Sequence, residues 1–223
     1  MLKSVFFKEY LKIRWLFFTL AALNLVLMIY IFIDTRQLFI MDHAEMVWYR
    51  VLHLGQIHYD DLKYAPIATG IVLAFIQYLP EMMGERLRLS LHLPVSPHRL
   101  IMVHVLVGLA AIGLIIALDL VALALLTYRF FPVEVVWISF LTALPWCMAG
   151  VAAYLGLTFG LLEPGFLPKL FNIAIAAGLA NLFLYPAEPG GYVYILLALF
   201  LLVLFMIPAV LLPAYRYRYR RVT

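Results

Sequence analysis

The chain has 223 residues, of which 66% are hydrophobic and only 13% charged, and its mean hydropathy is +1.02; water-soluble domains do not carry such a balance. A helix crossing a hydrocarbon layer of about 30 Å needs about 20 apolar residues, so six crossings leave only short connections within these residues and exclude a separate soluble catalytic domain. The formal net charge of +4 follows from how bases are distributed around apolar segments and does not indicate a nucleic-acid partner.

The first element is amphipathic. On a helical wheel Leu2, Phe6, Tyr10 and Ile13 share one side of residues 1–14, with Ser4, Lys8 and Lys12 opposite. That pattern predicts an interfacial helix on the membrane surface, entering the bilayer at Trp15. The apolar run 15–33 is too long for a signal-peptide core and is followed by Asp34-Thr-Arg without a small-x-small cleavage site, so it is expected to be a retained anchor. An outer loop, 34–63, follows. Within it, residues 42–56 predict an amphipathic helix with Ala44, Val47, Trp48, Val51 and Leu54 on one face and Glu45, Tyr49, His53 and Gln56 on the other. His43, His53, His58, Asp60 and Asp61 are residue types that bind metals or haem. One continuous helix, however, would point His43 and His53 about 80° apart, which favours a solvated loop face and no metal site.

A second apolar run, 64–83, leads into a polar hairpin at 81–99. The third run, 100–128, carries two ionisable residues, His104 and Asp119. Charge inside a membrane is costly, so both are candidate pathway or intramembrane polar residues; about 22 Å apart along a helix, they cannot form a dyad. The fourth run, 135–162, contains Cys147, the single cysteine, which rules out an intrachain disulfide or a cysteine metal site. Small residues at packing spacing, Ala149, Ala153, Gly156 and Gly160 and then Ala174 and Gly178, predict close helix contacts. Pro66, Pro80, Pro145 and Pro208 are expected to kink their helices. The fifth run, 170–185, is short and carries Asn172 and Asn181, so a re-entrant hairpin is the alternative to a full span. The sixth is 192–212, and the terminal 215–221, alternating Tyr and Arg, reads as an aromatic belt merging into a basic lipid-headgroup anchor.

Of the sixteen basic residues, only Arg36, Arg50, Lys63 and Arg129 fall on the outer side if the N-terminus is cytoplasmic. Both termini are therefore expected inside, in an all-α membrane domain of about six transmembrane helices covering 1–223.

The order of parts resembles the permease subunits of type-2 ABC exporters: an amphipathic N-terminal helix, a span, an outer segment, a second span, an inner hairpin, then four more spans. The hairpin carries Glu81, Gly84, Glu85, Arg86, Leu93, Pro94, Val95 and Ser96, similar to the family's acidic-Gly-basic stretch running into a Leu-Pro-hydrophobic-Ser step. The resemblance implies a coupling helix that docks on an ATPase, with Glu81, Gly84, Glu85, Arg86, Arg88, Leu93 and Pro94 as coupling residues. It also implies a bacterial inner-membrane protein, paired with a second copy or a similar permease, embedded in lipid, with Mg-ATP bound by the partner ATPase. Two features depart from the family. Residues 86–93 alternate polar and apolar, which is a strand's period, and the turn 186–191 is short where relatives carry a longer re-entrant element.

Independently of the family, Glu85, Arg86 and Arg88 supply mixed charge to orient a soluble partner, and Leu87, Leu89, Leu91 and Leu93 can fill a groove. No Gly-Lys pair occurs, so the phosphate-cradling loop is absent and this chain is not expected to hydrolyse ATP or bind a cofactor. Two alternatives to export stand. An intramembrane enzyme would need converging catalytic groups, and neither Gly-x-Ser-x-Gly nor His-Glu-x-x-His occurs. A non-transporting ABC membrane subunit would work at the outer face, around Trp48.

Overall fold

The computed structural model describes residues 2–83, 96–185 and 188–219. It is 87% helical, with no strand among the described residues. The helices are α1 (Leu2–Met41), α2 (Ala44–Leu52), α3 (Ala65–Met83), α4 (Pro97–Phe130), α5 (Val133–Leu161), α6 (Phe166–Leu182), α7 (Leu196–Ala209) and α8 (Leu211–Tyr219), with single 3-10 turns at Asp60–Tyr64 and Val193–Ile195. Five segments are long and apolar enough to cross a membrane: Lys3–Met41, Asp60–Met83, His98–Phe130, Val133–Leu161 and Val193–Pro213. The fifth apolar run forms α6, a shorter helix of 17 residues, about 26 Å long by its rise. It begins four residues before the expected 170 and ends before 185, at a turn where the Tyr192 hydroxyl donates to the Leu182 carbonyl.

The N-terminal helix differs most from expectation. α1 runs unbroken through Trp15 and Asp34 for 40 residues, about 60 Å. Its length has a simple cause: neither Gly nor Pro occurs before Gly55, so nothing interrupts the hydrogen-bond ladder. Beyond it, α2 turns back with Val47 buried and the Trp48 indole donating to the Phe130 carbonyl at 3.3 Å, and ends in a turn at Gly55, whose φ of +65° lies in the left-handed region.

α5 is the hub, packed against α3, α4, α6 and α7, while α1 lies against α4 and α3. Small residues make these approaches possible. A Cβ on Gly70 of α3 would collide with the Gly150 carbonyl of α5, and one on Gly150 would come within 2.5 Å of the Pro66 carbonyl oxygen. Gly156 and Gly160 admit Ala176 and Ile173 of α6 in the same way. On α6, however, the packed face is Ala176 and Ala180, both buried; Ala174 and Gly178 are exposed, which corrects the expected contact. Pro80, Pro145 and Pro208 lie inside α3, α5 and α7 without ending them.

Gly70→Ala should lower the melting temperature of the detergent-solubilised protein by several degrees, because backbone cannot move aside cheaply at an overpacked crossing. Gly113→Ala, where an added Cβ meets nothing within 4 Å, should leave it unchanged or raise it slightly. Circular dichroism melts of the two variants compare them directly.

Candidate functional site

A cluster of buried polar side chains forms where α1, α3, α4 and α5 meet near the N-terminal end of the bundle. Each helix supplies one part. From α1 come Lys8, Glu9 and Lys12; from α3, Gln77 and Glu81; from α4, the His104 imidazole and carbonyl; from α5, Tyr154. Glu9 and Gln77 are fully buried, and Glu81 and His104 almost so.

Glu81 Oε1 accepts from both Lys8 Nζ and Lys12 Nζ, each at 3.1 Å. Lys12 also donates to the Gln77 carbonyl at 2.5 Å and lies 3.6 Å from Glu9 Oε1. That carbonyl sits one residue past Ile76, whose own carbonyl loses its helical donor because Pro80 has no N–H. The Gln77 amide is saturated at both ends: Nε2 donates to Glu9 Oε2 at 3.2 Å and to the His104 carbonyl at 2.7 Å, and Oε1 accepts from the Tyr154 hydroxyl at 2.8 Å. The Tyr78 hydroxyl lies 3.4 Å from that of Tyr154. Gly108 makes the junction possible, since a Cβ there would collide with the Tyr154 hydroxyl and stand 2.6 Å from Gln77 Oε1.

Two carboxylates face two ammonium groups, so the cluster is formally neutral. It is not saturated, however. Glu9 Oε1 and Glu81 Oε2 are buried without a hydrogen-bond partner among the described residues, and His104 Nε2 stands 4.0 Å from Glu9 Oε1. Lys12 is four-fifths buried while Lys8 is half exposed, so Lys12 is the cation whose charge is least screened by water. Chemically the arrangement is an electrostatic brace between four helices.

The structure brings together two of the residues singled out from sequence, Glu81 and His104. Asp119 stands apart toward the other end of α4, buried, its Oδ2 without a hydrogen-bond partner among the described residues. Gly84, Glu85, Arg86, Arg88, Leu93 and Pro94 lie outside the described residues. Sequence reasoning missed Glu9, Lys12, Gln77, Gly108 and Tyr154 as partners. It set Lys8 and Lys12 on a solvated face, whereas both reach α3. The available signal was Gln77, the only amide in the run 64–83, which a lipid-facing position would not tolerate.

At the far end, no group of three or more His, Cys, Asp or Glu is placed to hold a metal among the described residues. His58 is instead buried in an aromatic nest, stacked on Phe131 with centroids 4.6 Å apart and edge-on to Tyr59 at 4.9 Å. Burial pulls its pKa down from 6.5 to about 4. The same burial pushes the Tyr59 phenol up, against hydrogen bonds to Ser139 and Thr142 that act the other way.

Removing the Lys12 charge alone leaves Glu81 and Glu9 undercompensated. Lys12→Met should cost about 3–5 kcal/mol, and adding Glu81→Gln should recover part of that loss, a coupling read from melting temperatures in a double-mutant cycle. For His58, the unfolded chain binds a proton below 6.5 and the folded one only below about 4, so stability is level above 6.5 and falls as pH drops through that window. His58→Phe keeps the stack and removes the titration. Its melting temperature should stay flatter between pH 6.5 and 4, with a difference from the parent reaching about 3 kcal/mol.

No family model, no curated protein and no solved structure matches this chain.

Proposed function

We propose that this chain is the permease subunit of a type-2 ABC exporter, a six-span protein of the bacterial inner membrane with both termini cytoplasmic. Two copies, or this chain and a similar permease, form the pathway between them. A separate ATPase chain binds Mg-ATP and pushes on the hairpin at 81–99. The observation that carries the proposal is the seat of Glu81: it lies in the last turn of α3, three residues before the hairpin's Gly84, and is held by Lys8 and Lys12 of α1. Through Gln77 the same turn is tied to the His104 carbonyl and to Tyr154. A displacement entering at the hairpin therefore reaches four helices within one turn of where it starts, as a lever requires. The sequence resemblance supports an ATPase as the driver, and the brace is consistent with a route for its work.

The test is to co-express the chain with an ABC ATPase from the same genome, purify the complex and reconstitute it in vesicles. Glu85→Ala with Arg86→Ala should lower the ATPase activity stimulated by this chain several-fold while membrane insertion and elution volume stay as in the parent. Unchanged stimulation, or an ATPase that does not copurify with the parent chain, overturns the proposal.

A further inference from the structure

We infer that the groove between α1 and α4 at the N-terminal end is a binding site for an anionic phospholipid, with the phosphate on Arg14 and an acyl chain lying below it. The groove has a volume of about 280 Å³ and apolar walls, formed by Phe6, Phe17 and Phe18 of α1 and Val107, Ala111 and Leu114 of α4. Arg14 and Tyr10 are the two polar side chains that line it. One turn apart on α1, they share a face.

Three observations select the occupant. First, the Arg14 side chain is exposed and no carboxylate among the described residues pairs with it; its guanidinium lies over the Trp15 ring, 5.3 Å from the centroid. An unpaired guanidinium presenting a fork of N–H donors is suited to a phosphate. Second, its depth is that of a headgroup. Trp15, 71% exposed, opens the apolar run of α1, and an amphipathic indole in that position marks the membrane–water boundary. The groove continues from this level past Phe17 and Phe18 on α1 and Leu114 on α4, where hydrocarbon lies. Third, Phe18 and Leu114, on the hydrocarbon side of Arg14, are each more than half exposed, so the apolar walls there lack cover from this chain. An acyl chain covers them while its phosphate reaches Arg14. A second protein copy would instead have to bring a carboxylate to Arg14. Lipid retention requires only that the chain sits in a bilayer, and is separate from transport.

The experiment reconstitutes the protein in nanodiscs of equal parts phosphatidylglycerol and phosphatidylcholine with identical chains, extracts it in mild detergent and counts retained lipids by native mass spectrometry. The parent should keep phosphatidylglycerol over phosphatidylcholine by about fivefold, the size expected of one basic side chain at an anionic surface. Arg14→Gln should bring the ratio near one. Arg129→Gln, which removes a cation lying over Phe130 at the far end, should leave the ratio as in the parent. Ala110→Trp fills the groove from an exposed position and should reduce lipid of both kinds several-fold at an unchanged melting temperature. A parent ratio of one, or Arg14→Gln without effect, overturns the site. So does Ala110→Trp if it splits a dimer into monomers while retained lipid is unchanged, because the face then belongs to a second copy.

Discussion

Two carboxylates buried at one end of an apolar bundle have to be met by cations. Glu9 and Glu81 lie on different helices with almost no access to water, and a lone carboxylate in such a place costs several kcal/mol even after relaxation. Lys12 satisfies part of both, and that double duty fixes the rotation of α1 about its own axis: only one face of the helix can deliver residues 8, 9 and 12 to α3 together. The register of α1 against α3 then decides where Trp15 and Arg14 stand relative to α4. Much of the N-terminal end follows from this neutralisation.

The two ends of the bundle are held by different physics. At the N-terminal end the links are directional, made of ammonium, carboxylate, amide and phenol groups whose geometry tolerates little displacement. At the far end they are rings. Phe39 stacks on Phe130 and meets Phe131 edge-on, Phe32 packs on Phe130, and Tyr59 leans on Trp146. Ring contacts hold apolar surface together without demanding one orientation. Hydrogen bonds add to the rings there, from Gly190 N–H to the Thr142 hydroxyl and from the Trp48 indole to the Phe130 carbonyl.

Apolar runs and their boundaries were legible in the sequence because transfer into hydrocarbon is a property of composition and length. Five of the six became long apolar helices and the fifth run, marked by its asparagines, became the short α6. His104 and Asp119 stood out for the same reason, since polar groups are rare inside such runs, whereas Glu81 stood out through the hairpin's resemblance to a coupling element. What could not be read was which of them meet. Lys8 and Lys12 looked solvated because a wheel knows only one helix, and the neighbour that turns their face inward is α3, some 65 residues away. Ala174 and Gly178 fitted a packing spacing, yet Ala176 and Ala180 are the buried pair, since spacing sets a periodicity and leaves its phase open. The run past Asp34 was cut short on charge alone, although nothing in it breaks a helix.

The unbroken α1 has a mechanical corollary. Fastened by ions near its start and by Phe39 near its end, and with no glycine or proline between, it has no hinge. Tilting it about one anchorage must swing the other, so the faces of this protein on opposite sides of a bilayer cannot rearrange independently; α1 behaves as a strut whose shift in pitch is felt at both surfaces at once.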